Sequence, residues 1–147
     1  MRLPSGLTVS KDTPIYKGSN FTWGEATKNC TRPIRTLVID GKTIMSSRSI
    51  EQKIVEAAKE LDKIRRLLGN RPIRFNSWYR DPQTNARVGG TKYSRHQYGD
   101  AVDIVSNYWR PSQVREKLET VMTHGGMGTY WNFNHLDWRG HKARWAG

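Results

Sequence analysis

Apolar residues between Ile50 and Leu68 recur at three and four: Ile50, Ile54, Ala57, Ala58, Leu61, Ile64 and Leu68 share one face of a helix. Lys53, Glu56, Lys59, Glu60, Asp62, Lys63 and Arg66 fill the remaining surface. Ser49 with Gln52 makes a capping-box pattern in front, and Gly69 supplies the stop, so the spacing predicts a structural helix over 49–68. Positions 73–78 alternate as a strand does. Asp81-Pro82 then sets an N-cap with proline at the first helical position of a short helix ending at Gly89-Gly90. A second strand is expected over 101–105. Pro111 opens another helix carrying Val114, Leu118, Val121 and Met122, closed by Gly125-Gly126. Positions 127–131 and 133–138 are read as two strands joined tightly or by a bulge. Earlier, 21–27 predicts a short helical turn, and 35–42 an extended segment ending at a turn. Helices early and short strands late predict an α+β fold, with helices packed on a small, mainly antiparallel sheet.

The chain has 147 residues, enough for one core. One domain is expected over 21–140. Before it lies an arm over 1–20, rich in Gly, Pro, Ser, Thr and Lys, and after it a basic tail over 141–147. No run of eighteen apolar residues exists, which excludes a membrane-spanning helix, and the first residues lack the apolar stretch of a secretory signal. Twenty-five Lys and Arg against thirteen Asp and Glu give +12, a surface that favours polyanions such as nucleic acid, anionic lipid or envelope polymers. Aromatic residues among arginines can stack bases, but no finger, helix-turn-helix or RNP pattern is present and the basic residues are dispersed. No nucleic-acid partner is therefore expected, and a monomer is. The single Cys30 excludes an intrachain disulfide framework.

Of four histidines, His96 and His135 have the more suggestive settings. His96 precedes a glycine turn and a strand on which Ala101 and Asp103 share one face, while Val102 and Ile104 take the other. A carboxylate on so apolar a strand needs a partner, and a cation would supply one. His135 and Asp137 also share a strand face. Two imidazoles and a carboxylate that leave a fourth position for water suit catalytic zinc, although His96 taken alone reads as a hydrogen-bonded structural histidine. His135-x-Asp137 with a further histidine also has the composition of a non-haem iron triad. Those sites sit on long β-barrels with a distal histidine well downstream, and only His141 remains here. Arg80, following a strand, offers a planar fork to a peptide carboxylate or a developing oxyanion; the plainer reading is a solvated arginine beside Asp81. Trp78, Tyr79, Tyr130 and Trp131 are the aromatics expected to line a groove. His124 is assigned to a helix end.

The run Ser94-x-His96-x-x-Gly99-x-Ala101-x-Asp103, followed by His135-x-Asp137, resembles the metal-binding signature of the M15 peptidases. That family comprises D-Ala-D-Ala carboxypeptidases and phage and bacterial L-alanyl-D-glutamate endopeptidases; the likeness is greatest to a small branch whose second motif ends in His-x-Asp. It extends through Phe21-Thr22-Trp23-x-Glu25-Ala26 and through Ser77-Trp78-Tyr79-Arg80-Asp81-Pro82-x-x-Asn85-x-x-Val88-Gly89-Gly90, and so spans roughly residues 20–140. The resemblance implies the carboxypeptidase/hedgehog-like fold, Zn²⁺ held by His96, Asp103 and His135, and Arg80 at the substrate end of the cleft. It further implies hydrolysis of peptide bonds in peptidoglycan stem peptides or cross-bridges, as by a phage endolysin. Such a protein would be made in the cytoplasm without a signal peptide and reach the wall after release or delivery, where its charge would favour adhesion to anionic polymers. Many members carry an acidic residue three positions before the second histidine; here that position is Asn132, whose amide cannot accept a proton. Asp137 is the nearest replacement as general base, with orientation of a histidine or pairing with Arg139 as its other roles. Asn132 also motivates the alternative of a non-enzymatic zinc module that binds wall peptide or a protein partner.

Overall fold

The computed structural model describes residues 1–147. In chain order the elements are α1 (Trp23–Ala26), β1 (Leu37–Ile39), β2 (Lys42–Met45), α2 (Ser47–Leu67), β3 (Ile73–Ser77) and α3 (Pro82–Arg87). After a 3-10 turn at Arg95–Tyr98 come β4 (Ala101–Ser106), α4 (Pro111–Leu118), β5 (Gly126–Thr129), β6 (Asn134–Asp137) and β7 (Ala143–Ala146). β1 and β2 form a separate hairpin. The main sheet has five strands in the order β3-β4-β6-β5-β7, antiparallel throughout except for the parallel β5–β7 pair. The result is the expected mixed α+β arrangement.

The long helix forms, beginning slightly earlier than its pattern predicts. Ser46 is the N-cap and accepts a hydrogen bond from the Ser49 amide at 3.1 Å, which leaves Ser49 inside the helix and the Ser49–Gln52 box unused. Leu68 closes it, and Gly69 follows in the left-handed region at φ +79°. The predicted stripe is buried in one continuous core with Val102, Ile104, Met127 and Leu136 of the sheet. Each such Leu or Ile contributes about 1.5–3 kcal/mol on leaving water, which accounts for the helix far better than propensity does.

The first twenty residues lie against α2. Leu3, Val9 and Ile15 enter the core. The buried Asp62 carboxylate accepts hydrogen bonds from the Tyr16 hydroxyl, the Ser19 hydroxyl and the amides of Asn20, and Glu51 accepts one from the Ser5 amide. Asp62 is thus not part of a solvated helix surface: periodicity reports where a residue points, not what covers it.

Two boundaries differ from expectation at the end of the chain. α4 stops at Leu118, and Met122 reaches the core from the turn beyond it while Val121 stays exposed. Residues 141–147 are not a solvated tail. Ala143–Ala146 forms β7 beside β5, and the Arg144 guanidinium donates to the carbonyls of Met122, Gly125 and Ala143 and to Glu119. With two alanines and one tryptophan among basic residues, the segment is too short to show an alternation, so only its charge was visible.

Candidate metal centre and cleft

One row of residues crosses the whole sheet. Ser77 on β3 stands opposite Asp103 on β4, Asp103 opposite His135 on β6, His135 opposite Gly128 on β5, and Gly128 opposite Trp145 on β7. Residues in register across strands project to the same face. Val102, Ile104 and Leu136 are buried on the core side, so this row faces away from the core. Asp137, two residues beyond His135, shares its face. His96 arrives from the 3-10 turn that precedes β4.

The hydrogen-bond partners fix how the two imidazoles are used. His96 Nδ1 lies 2.7 Å from the Trp78 carbonyl, an acceptor only, so that nitrogen carries the proton. Its Nε2 then points a lone pair inwards, 3.2 Å from Asp103 Oδ2. His135 is turned the other way: Nε2 lies 2.8 Å from Asp137 Oδ2 and Nδ1 lies 3.0 Å from Asp103 Oδ1. Neutral imidazoles in these tautomers aim two lone pairs at a carboxylate, which repels unless a proton or a cation lies between. The inward atoms of His96, Asp103 and His135 lie within 4.8 Å of one another, and nitrogen, nitrogen and carboxylate oxygen are donors that zinc accepts. The three residues fit a metal ion.

The same contacts shift the acidities. Burial raises the Asp103 pKa, but hydrogen bonds from His135 and His96 outweigh it and hold the carboxyl well below its usual range. Burial lowers the His135 pKa, and the bonds to Asp103 and Asp137 overcome this and raise it. A proton on the inward imidazole nitrogen and a metal ion would compete for the same place.

Arg80 lies in the same cleft, whose volume is about 520 Å³. Its Nε donates to Ser77 Oγ at 3.0 Å, one terminal nitrogen donates to Asn85 Oδ1 at 3.2 Å, and the other lies 3.8 Å from Asp103 Oδ2. It is therefore a held, half-buried cation, not a solvated one beside Asp81. Asn85 completes its support by donating to the Thr91 carbonyl at 2.8 Å. A Cβ on Gly90 would stand 2.0 Å from Asn85 Oδ1, so this glycine is what lets the amide reach the arginine. Along the chain Gly90 reads only as a helix stop and Asn85 only as a motif position; their place at a proline-capped helix is the signal the sequence carries.

Asp137 is completely buried. Arg139 donates to both its oxygens at 2.8 and 2.7 Å, the Gly126 amide donates to Oδ1 at 3.1 Å, and His135 takes Oδ2. Burial raises its pKa, but the bonds from Arg139 and His135 hold it well below the carboxylate range. Asn132 is exposed at the β5–β6 turn, and Asp103 is the sole carboxylate lining the cleft. Of the aromatics expected at a groove, Tyr130 lines it. Trp78 and Tyr79 are buried in the core instead, and Trp131 stands 87% exposed outside it. Trp145, absent from that expectation, forms part of the wall.

Residues 16–137 match the Peptidase M15 family. A zinc D-Ala-D-Ala carboxypeptidase of Streptomyces albus G is 40% identical over 45 residues, a stretch that covers 31% of this chain and 18% of that enzyme. No helix is long and apolar enough to cross a membrane.

Proposed function

The chain belongs to the M15 peptidase family, and from that premise we propose that it is a zinc-dependent hydrolase of peptide bonds in bacterial peptidoglycan. The observation that carries this reading is the convergence of His96, Asp103 and His135 in a cleft that also holds Arg80. Zinc bound by the three would polarise a scissile carbonyl and lower the pKa of a water beside it. Arg80 holds a peptide carboxylate or the oxygen that becomes anionic during attack, with Ser77 and Asn85 keeping its fork in place. Asp137 acts on His135, not on water: it accepts a hydrogen bond from Nε2–H and so keeps the Nδ1 lone pair directed inwards. Arg95 and Arg139 are each neutralised by a buried aspartate, so Arg80, 3.8 Å from its nearest carboxylate, is the cleft cation that suits the carboxylate-rich stem peptides or cross-bridges.

Purified peptidoglycan provides the test. Zinc-loaded protein is expected to release peptide fragments whose masses identify the bond cut, and chelator is expected to abolish release. Binding to wall material without any release would favour the non-enzymatic zinc module.

A further inference from the structure

With Asn132 exposed and Asp137 enclosed by Arg139, His135 and Gly126, the cleft contains no free carboxylate to assist the reaction. It does contain a rigidly held phenol. Tyr130 begins the β5–β6 turn, where its amide donates to the Phe133 carbonyl at 3.0 Å and its ring stacks on that of Phe133 at 4.3 Å and 5°. Its hydroxyl is fixed by Trp145, whose indole Nε1–H lies 3.0 Å from Tyr130 Oη. An indole N–H only donates, so the phenol oxygen accepts there and its own proton is left for another partner. No protein acceptor takes that proton, and Tyr130 lines the cleft together with His96, Asp103, His135 and Arg80.

Trp145 reaches this position through a gap in the row across the sheet. A Cβ on Gly128 would stand 2.3 Å from Trp145 Nε1, so only glycine lets the indole lie across β5. The same ring packs at 5.2 Å against that of His135. One side chain of the last strand thus touches both a candidate metal ligand and the phenol.

We propose that Tyr130 is a catalytic residue, donating its hydroxyl hydrogen bond to the scissile carbonyl oxygen as that oxygen becomes anionic, and that Trp145 is the positioning residue that orients it. The inference rests on the peptidase reading above. No proton need be transferred: the hydroxyl supplies a neutral, preorganised donor, which complements the charge of Arg80.

The test uses full-length zinc-loaded protein and muropeptides from purified wall, together with a phosphinate analogue of whichever bond the unmutated protein cuts. Tyr130→Phe is expected to keep its zinc and its chelator-competition affinity while kcat falls about 10²-fold with little change in KM, the scale for loss of one oxyanion donor. Phosphinate binding, measured by calorimetry, should weaken by the same factor. Trp145→Phe keeps a ring against His135 and loses the N–H; it should lower kcat about 10-fold through misorientation. It should have no further effect in the Tyr130→Phe background, because it acts through that hydroxyl. Full activity in Tyr130→Phe, a rise in KM alone, unchanged phosphinate affinity, or independent losses in the double variant would each overturn the proposal while leaving the peptidase reading intact. Failure of the unmutated zinc-loaded protein to cut any muropeptide overturns both.

Discussion

Asp137 Oδ2 lies 2.8 Å from Nε2 of His135, with the carboxylate wholly enclosed and both its oxygens held by Arg139. This pairing is the ground for assigning Asp137 to the support of His135. A general base needs hydrogen-bond reach to the water it activates, and these oxygens are committed elsewhere. Asp137→Asn should therefore fold and weaken zinc binding about 10–100-fold, the range for losing a ligand's hydrogen-bond support. Activity should drop at limiting zinc and largely return at saturating zinc. Unchanged zinc affinity with turnover lost by about 10²–10⁴-fold would instead make Asp137 the base.

Competition between a proton and a metal ion for His135 predicts a pH signature. Its folded pKa is raised. The resulting stability is fully present below the unfolded value of about 6.5 and is lost as pH rises through the raised folded value. Metal-free protein should lose melting temperature across that window. Zinc competes with the proton, so the gain in Tm on adding zinc should grow as pH rises. Thermal melts with chelator and with zinc at closely spaced pH values would show the two curves diverging. A zinc-induced gain independent of pH through this window would mean that His135 is not a ligand.

The helix α2, strands β3, β4 and β6, and the proline-capped α3 were legible because each repeats a period over several residues or carries a cap. Asp103 was placed on the cleft side of its strand by alternation alone, since Val102 and Ile104 had to face the core. The arm, β7 and the supports of the site were not legible for a common reason: each depends on a partner far along the chain. Asp62 is explained by Tyr16, Ser19 and Asn20 from a segment with no pattern of its own. Gly128 has meaning only beside Trp145, and Gly90 only beside Asn85 and Arg80. The charge of the last residues does not reveal their place, because Arg144 is half-buried with its guanidinium against backbone carbonyls.

The hold on Arg80 gives a third prediction. Arg80→Ala should retain zinc and lower kcat/KM, through KM if the arginine binds the ground state and through kcat if it meets the developing oxyanion. Asn85→Ala should act in the same direction without touching substrate. Loss of a hydrogen bond to a charged group costs about 1.5–3 kcal/mol, and the fraction expressed in the transition state would appear in kcat/KM. Gly90→Ala should mimic Asn85→Ala, because its Cβ would stand 2.0 Å from the Asn85 amide oxygen and force it away from Arg80. Steady-state kinetics with zinc content measured for each variant would check the series. Normal activity in both Asn85→Ala and Gly90→Ala would show that Arg80 holds its place without them.

The last strand is the least expected part of the site, and Arg144 is what anchors it. Its guanidinium donates to the Met122, Gly125 and Ala143 carbonyls at 2.6, 2.8 and 2.8 Å, joining the turn after α4 to the start of β5 and to β7. Removing it leaves the carbonyls of the buried Met122 and Gly125 without this donor, at a cost of about 2–3 kcal/mol after partial relaxation. Arg144→Ala should therefore lower the urea midpoint without changing the slope much. If 141–147 were a solvated tail, the same substitution would leave stability within about 0.5 kcal/mol, as distant surface changes do. Activity supplies a second readout, since β7 also presents Trp145 to His135 and Tyr130. A variant that still folds at low denaturant yet loses turnover would indicate that β7 has loosened from β5 and taken the indole with it. Arg144→Lys can reach only part of the carbonyl set with a single ammonium, so it should fall between the two in both measurements.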